Sequence, residues 1–169
     1  MKRVLVIGCP GSGKSTFSQK LHQFTGLPLY HLDMLYWNAD KTTVDPCLFR
    51  ERLASVLELE TWIIDGNYAS TMEWRMQACD TVIFLDYPTE LCLQGIRERK
   101  GKTRSDIPWI EVREDPEFIA FAERFRQQER PSILAHMKHL RDKNIVVFEE
   151  RSEAEIFLKR LQKHKETDL

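Results

Sequence analysis

The sequence predicts an α/β layer sandwich, a parallel sheet covered by helices on both faces. Three observations carry that prediction. Short, nearly continuous apolar runs recur along the chain, stretches of helical spacing separate them, and the first run ends in a glycine-rich turn that opens into a helical pattern. Strands buried on both faces read as uninterrupted apolar runs, and strands alternating with helices build parallel sheets. A chain of 169 residues has the length of one domain with a sizeable core, so residues 1–169 are expected to form a single unit.

The strand-like runs are RVLVI (3–7), LPLYHL (27–32), TWIID (61–65), DTVIFLD (80–86) and KNIVVF (143–148). Each is short, and all but LPLYHL are rich in β-branched residues, which suit a pleated, buried surface. Helical spacing covers 14–24, 45–59, 88–100, 116–140 and 152–164. Pro131 falls inside the fourth of these stretches and should split it near Arg130, because proline removes a helix donor and clashes with the preceding turn. The segment Arg97–Glu117 holds a glycine, two prolines and a dense charge cluster, and is expected to be a loop or mobile flap.

Bulk composition narrows the classes. Apolar content of 42%, charged content of 30% and a formal net charge of -1 describe an ordinary globule, without the basic excess that non-specific duplex binding draws on. The four cysteines form neither a C-x-x-C pair nor a metal-spaced pattern, and no leader precedes the first strand. Reduced thiols in a cytoplasmic protein are expected. The apolar runs are far shorter than the roughly 20 residues of a membrane span, so no membrane segment is expected.

Gly8, Gly13, Lys14 and Ser15 fit G-x-x-x-x-G-K-S/T, the Walker A pattern, with Gly11 as an extra glycine. Glycines let the backbone curl until successive N–H groups point inward, and the helix that follows presents its positive end to the same anion. Gly8, Cys9, Pro10, Gly11, Ser12, Gly13, Lys14, Ser15 and Thr16 are therefore expected to cradle the phosphates of a nucleoside triphosphate such as ATP. Lys14 supplies a full positive charge and the Ser15 hydroxyl a ligand for Mg²⁺. Cys9 fills a free position of the loop.

Whether the held phosphate goes to water or to another molecule turns on the later strands. WIIDGNY and VIFLDYP end in Asp65-Gly66 and Asp86-Tyr87, with no glutamate beside either aspartate to orient a hydrolytic water. Five of the eight residues of RERKGKTR are basic. As a lid, Arg97, Arg99 and Arg104 would bring positive charge to the transferring group and exclude water together; a solvated, charged helix end is the other reading. Open α/β sheets bind ligands at the carboxyl ends of their strands, which directs attention to HLDMLYW. There Asp33 either orients or deprotonates an acceptor hydroxyl or caps a helix. Tyr36 and Trp37 either stack on a planar ligand or pack in the core, and His31 reads as a packing residue at the strand end.

Taken together, GCPGSGKST, HLDMLYW, WIIDGNY, CDTVIFLDYP and IRERKGKTR resemble the small P-loop kinase-like proteins called DNA topology modulation proteins, which in turn resemble adenylate and shikimate kinases. The resemblance runs through nearly the whole chain. It implies a P-loop NTPase fold, a three-layer α/β/α sandwich with a five-stranded parallel sheet of the nucleoside-monophosphate-kinase type, an acceptor region at 32–60 and a lid at 97–116. It implies that Asp65 holds Mg²⁺ through water and that Arg97, at the start of the lid, lies near adenine and phosphates; Arg113 and Arg124 match its later arginines faintly. Adenylate kinases carry D-G-F-P-R where this chain has Asp65-Gly66-Asn67-Tyr68, a departure that weakens the case for AMP. Arg75 then becomes either a replacement clamp for an acceptor anion or a surface helix residue. The expected activity is transfer of the γ-phosphate of Mg·ATP to a small hydroxyl or phosphate acceptor. An ATP-binding, DNA-associated regulator is the alternative that the family name implies.

Overall fold

The computed structural model describes residues 1–113 and 115–167; Glu114, within the expected lid, and residues 168–169 lie outside it. Five strands form one parallel sheet: β1 (Arg3–Gly8), β2 (Leu29–His31), β3 (Trp62–Asp65), β4 (Thr81–Leu85) and β5 (Asn144–Phe148), in the order β2-β3-β1-β4-β5. The three inner strands carry most of the buried apolar surface, and Val4, Leu5, Ile63, Ile64, Val82 and Ile83 have no exposed surface. Continuous apolar runs are what a sheet covered on both faces requires.

Helix α1 (Lys14–Thr25) leaves β1 and packs on the sheet beside α8 (Arg151–Thr167). Helix α4 (Ala69–Ala78) packs on β1 and against α7 (Arg130–Lys138), while α5 (Thr89–Glu98) packs on α6 (Pro116–Gln128). Short helix α2 (Leu32–Tyr36) and α3 (Pro46–Leu57) lie in the segment 32–60, expected to be the acceptor region. Asp45 caps α3 by accepting from Cys47 N at 2.8 Å, with Pro46 at the first helical position. The proline break falls where expected: α6 ends at Gln128 and α7 starts at Arg130.

Three expectations need correction. None of the stretches of helical spacing covers residues 65–80, where a helix enters only as one reading of Arg75, yet α4 is there. Its buried face includes Thr71 and Arg75 beside Met72 and Met76, so the apolar period that marks a helix is interrupted. Helix α2 begins at Leu32, inside the run read as a strand. Finally, β5 reads as a strand buried on both faces but is an edge strand, with Ile145 and Val147 each more than a third exposed. An edge strand has a neighbour on one side only, a position that composition does not specify. Among the described residues no helix is long and apolar enough to cross a membrane, and all four cysteines are free thiols.

Candidate functional site

The carboxyl ends of β1, β2 and β3 open into a cleft of about 1120 Å³. Its floor is the turn from Gly8 to Gly13, where α1 begins. Gly11 has φ 79°, and a Cβ there would lie 2.0 Å from the carbonyl oxygen of Cys92 on α5. The contact is reciprocal, since a Cβ on Gly95 would lie 2.1 Å from Gly11 O. The loop thus rests backbone to backbone on α5, and only glycine fits at both positions. Cys9 turns into the core, its thiol 3.6 Å from Ala122 O.

Lys14 Nζ donates to Gly8 O at 2.9 Å and Cys9 O at 3.1 Å. Desolvation lowers its pKa, and the Asp65 carboxylate opposes that shift. The Asn67 side chain closes a two-point clasp on Gly8, accepting from Gly8 N at 3.1 Å and donating to Gly8 O at 2.8 Å. Asn67 follows Asp65 and Gly66 at the end of β3, so the clasp ties the phosphate loop to the aspartate strand. Nothing in the sequence pointed to this role.

Strand register explains the next pair. His31 on β2 lies opposite Asp65 on β3 in the parallel ladder, and His31 Nδ1 sits 2.8 Å from Asp65 Oδ1. The imidazole is therefore a partner of the candidate metal residue and not only a packing group. Burial alone would lower its pKa, but the hydrogen bond and the charge of Asp65 outweigh burial and raise it. Because the folded value exceeds the ordinary 6.5, the stabilisation is complete below about pH 6.5 and is lost as pH rises through the folded pKa. His31→Gln should accordingly cost more stability at pH 6 than at pH 9. Urea unfolding of both proteins at the two pH values checks this, and a gap that stays constant would show that protonation of the imidazole adds nothing to the pair.

On the acceptor side, Asp33 Oδ1 accepts from the Tyr68 hydroxyl at 2.6 Å. Burial raises the pKa of Asp33, with the Tyr68 hydrogen bond and Lys14 opposing. The helix-cap reading of Asp33 is not what the structure shows: the cap position of α2 is His31, and no side chain caps it. Trp37 lines the cleft and meets Trp109 of the lid edge-on at 5.6 Å. Tyr36 lies behind this wall, its ring 4.9–5.2 Å from those of Trp37, Phe49 and Tyr68. It packs in the aromatic cluster and is not part of the cleft lining, since neighbouring residues at the end of a helix point to different faces.

Arg75 requires the largest correction. It is fully buried on α4, donating to the carbonyls of Gly66, Asn67 and Tyr68 and to Thr71 Oγ1. It braces the turn after β3, and neither a clamp facing the cleft nor a surface position describes it. Arg97 is also displaced from expectation, its side chain lying exposed on the last turn of α5 and outside the cleft lining. Arg113 and Arg124 are exposed as well.

Arg99 and Arg104 do line the cleft. Arg99 Nε is 2.9 Å from Glu111 Oε2, and its guanidinium lies 4.9 Å from the Phe118 ring centre. Arg104 pairs with Glu111 Oε2 at 2.7 Å and holds Asp106 through two nitrogens. Asp106 Oδ2 in turn accepts from Ser15 Oγ at 2.5 Å, and Gln19 reaches Ser105 Oγ at 2.5 Å. The lid is thereby strapped across the start of α1. Burial would raise the Asp106 pKa, but the hydrogen bonds from Arg104 and Ser15 outweigh it and lower it. Glu111 and Asp106 escaped the sequence reading because isolated acids in a charged loop carry no spacing signal.

The two strand-end aspartates divide their roles. Asp86 is bound by Arg130 through two nitrogens at 2.7–2.9 Å and anchors α7 to the sheet. Asp65 is buried in the cleft wall, and its Oδ2 has no hydrogen-bond partner. A buried carboxylate oxygen without a partner is costly unless something positive meets it. Together with the Ser15 hydroxyl it offers hard oxygen ligands, the donor set suited to Mg²⁺. Among the described residues there is no group of three or more His, Cys, Asp or Glu side chains that could hold a metal ion.

No protein-family model matches the chain, and no curated protein matches it by sequence. Solved structures do match. Shikimate kinase from Bacteroides thetaiotaomicron superimposes with TM-score 0.61 at 19% identity, over 98% of each chain. Shikimate kinase from Acinetobacter baumannii in complex with shikimate gives 0.64 at 14% identity, over 99% of this chain and 94% of that one. A sugar kinase from a Janibacter species gives 0.53 at 18% identity, over 96% and 93%. The chain therefore has the P-loop NTPase fold, with the five-stranded parallel sheet expected of it.

Proposed function

We propose that this protein is a Mg·ATP-dependent phosphotransferase that moves the γ-phosphoryl group to a small-molecule acceptor. One observation carries the reading: a single cleft joins the phosphate loop, the buried Asp65 carboxylate, the Asp33–Tyr68 pair and a lid with inward-facing arginines. The likeness of the fold to shikimate and sugar kinases supports it.

Each residue then has a task. The backbone N–H groups of Gly8–Thr16 and the start of α1 bind the phosphates, and Lys14 exchanges its two carbonyl partners for phosphate oxygens. Ser15, released from Asp106, and Asp65 Oδ2, directly or through water, would hold Mg²⁺, which when bound neutralises phosphate charge. Arg99 and Arg104 bring positive charge to the transferring group as the lid closes out water. Asp33, made more basic by burial and with Oδ1 already engaged by Tyr68, offers Oδ2 to the acceptor hydroxyl. As the new oxygen–phosphorus bond forms and the bond to the β-phosphate oxygen breaks, the hydroxyl proton passes to Asp33 and ADP leaves. Gly66 stands beside Asp65 where a hydrolytic enzyme of this class would place glutamate, and His31 occupies Asp65 Oδ1.

The test is ATP labelled on the γ-phosphate, incubated with a panel of nucleosides, nucleotides, sugars and small acids including shikimate. Labelled product that forms only with an acceptor present supports the proposal. Phosphate release at the same rate without any acceptor would overturn it.

A further inference from the structure

We propose that the acceptor is an uncharged, ring-shaped alcohol, free of phosphate and carboxylate at the end this cleft holds. The inference rests on the phosphotransferase reading above and concerns the second substrate. A site for an anionic acceptor needs a cation that is not already engaged, and the acceptor wall of this cleft has none among the described residues.

The four lysines and arginines between residues 26 and 80 are each accounted for elsewhere. Lys41 lies over the Trp109 ring at 5.9 Å and Arg50 over Trp74 at 5.3 Å. Arg52 donates to Leu35 O at 2.9 Å. Arg75 is buried against the carbonyls of residues 66–68. None of the four lines the cleft. His31, the remaining basic group, faces Asp65.

The acceptor wall instead presents two carboxylates, Asp33 and Asp65, with the Asn67 amide and the Tyr68 and Trp37 rings. The lid does not redress the balance: Arg99, Lys102 and Arg104, which line the cleft, stand against Glu98, Asp106 and Glu111, three positive against three negative groups, and Lys102 is exposed. What they release on closing is claimed by the transferring phosphoryl group, which arrives from the nucleotide side. A phosphate or carboxylate beside Asp33 would meet like charge in a partly desolvated cleft, where repulsion is stronger than in water. A neutral hydroxyl suits the same place: it donates to Asp33 while its ring lies on Trp37.

The experiment compares matched pairs with the full-length protein: a nucleoside against its 5′-monophosphate, a free sugar against its phosphate, and a cyclitol against a cyclic carboxylate. Product formation from labelled Mg·ATP should favour the neutral member by at least about a hundredfold in kcat/KM. A charged member used as well as its neutral partner, or better, overturns the inference while leaving the phosphotransferase reading in place. Acceptor-independent phosphate release overturns that reading itself. A second measurement is free of turnover: quenching of tryptophan fluorescence in the parent protein saturated with a non-hydrolysable ATP analogue and Mg²⁺. Quenching by neutral members alone supports the inference. Equal quenching by both members of a pair, or by none of the compounds combined with no product, sinks it.

Discussion

Lys14→Ala is expected to lower kcat for phosphotransfer by at least about a hundredfold, the loss typical of removing one preorganised charge partner of a transition state. The fold should persist. Lys14 Nζ contacts two loop carbonyls in this structure, and one of them, Gly8 O, keeps a second donor in Asn67 Nδ2 after truncation. Little buried polarity is therefore left unsatisfied, and the far-ultraviolet circular dichroism and Tm of the variant should stay near those of the parent. Wild-type turnover in the variant would remove Lys14 from the chemistry and with it the reading of the loop as the phosphate site. A fall in Tm of the size expected for a core mutation would instead make the lysine a structural element.

Arg75→Ala should show the opposite signature, a loss of stability first and of activity only as a consequence. The side chain is fully buried and donates to three consecutive carbonyls, so truncation takes the side-chain donor from Gly66 O and Asn67 O, while Tyr68 O keeps Thr71 N at 3.0 Å, and it opens a cavity. Unsatisfied buried groups cost about 1–3 kcal/mol each before relaxation, and a net destabilisation of about 3–4 kcal/mol is expected. For a chain of this length that is a fall in Tm of roughly 6–16 °C. Arg75→Lys separates the two roles proposed for this position. A lysine cannot reach three carbonyls with one planar fork, so a brace fails nearly as badly with lysine as with alanine. An anion clamp would keep much of its function and the full Tm. A lysine variant with parental Tm and a raised KM for the acceptor would restore the clamp.

The contrast between these two residues shows how far the chain is legible. Lys14 belongs to a contiguous pattern whose spacing is set by the backbone's need to curl around an anion, so a linear string is enough to find it. Arg75 belongs to no such pattern. It sits on α4, a helix hidden from periodicity because threonine and arginine share its buried face with methionine. Gly95 belongs to no such pattern either, yet it is where the glycine-rich loop rests on α5.

Lid residues lie between these cases. The basic cluster of residues 97–104 is plain in the sequence, but which members turn inward is not. Arg97, on the last turn of α5, is exposed, while Arg99 and Arg104 are drawn over the cleft by Glu111 and Asp106. Partners 2 to 12 residues away in a loop obey no fixed period, so only the folded path pairs them. His31 and Asp65 are 34 residues apart and meet because β2 and β3 pair in a register that sets them side by side.

The sequence by itself determined the layered α/β architecture, the glycine-rich turn that leads into α1 with Lys14 and Ser15, the proline break between α6 and α7, and Asp65 as the acid at the end of a strand. Those features follow from local rules: periodicity, backbone freedom at glycine and the missing donor of proline. Only the tertiary structure decided that Arg75 braces a turn, that Asn67 clasps Gly8, that Asp33 pairs with Tyr68, and that Lys41, Arg50, Arg52 and Arg75 stay out of the cleft lining. These depend on which distant residues strand order and register bring within about 3 Å, and contacts of that range are chosen by packing across the whole domain.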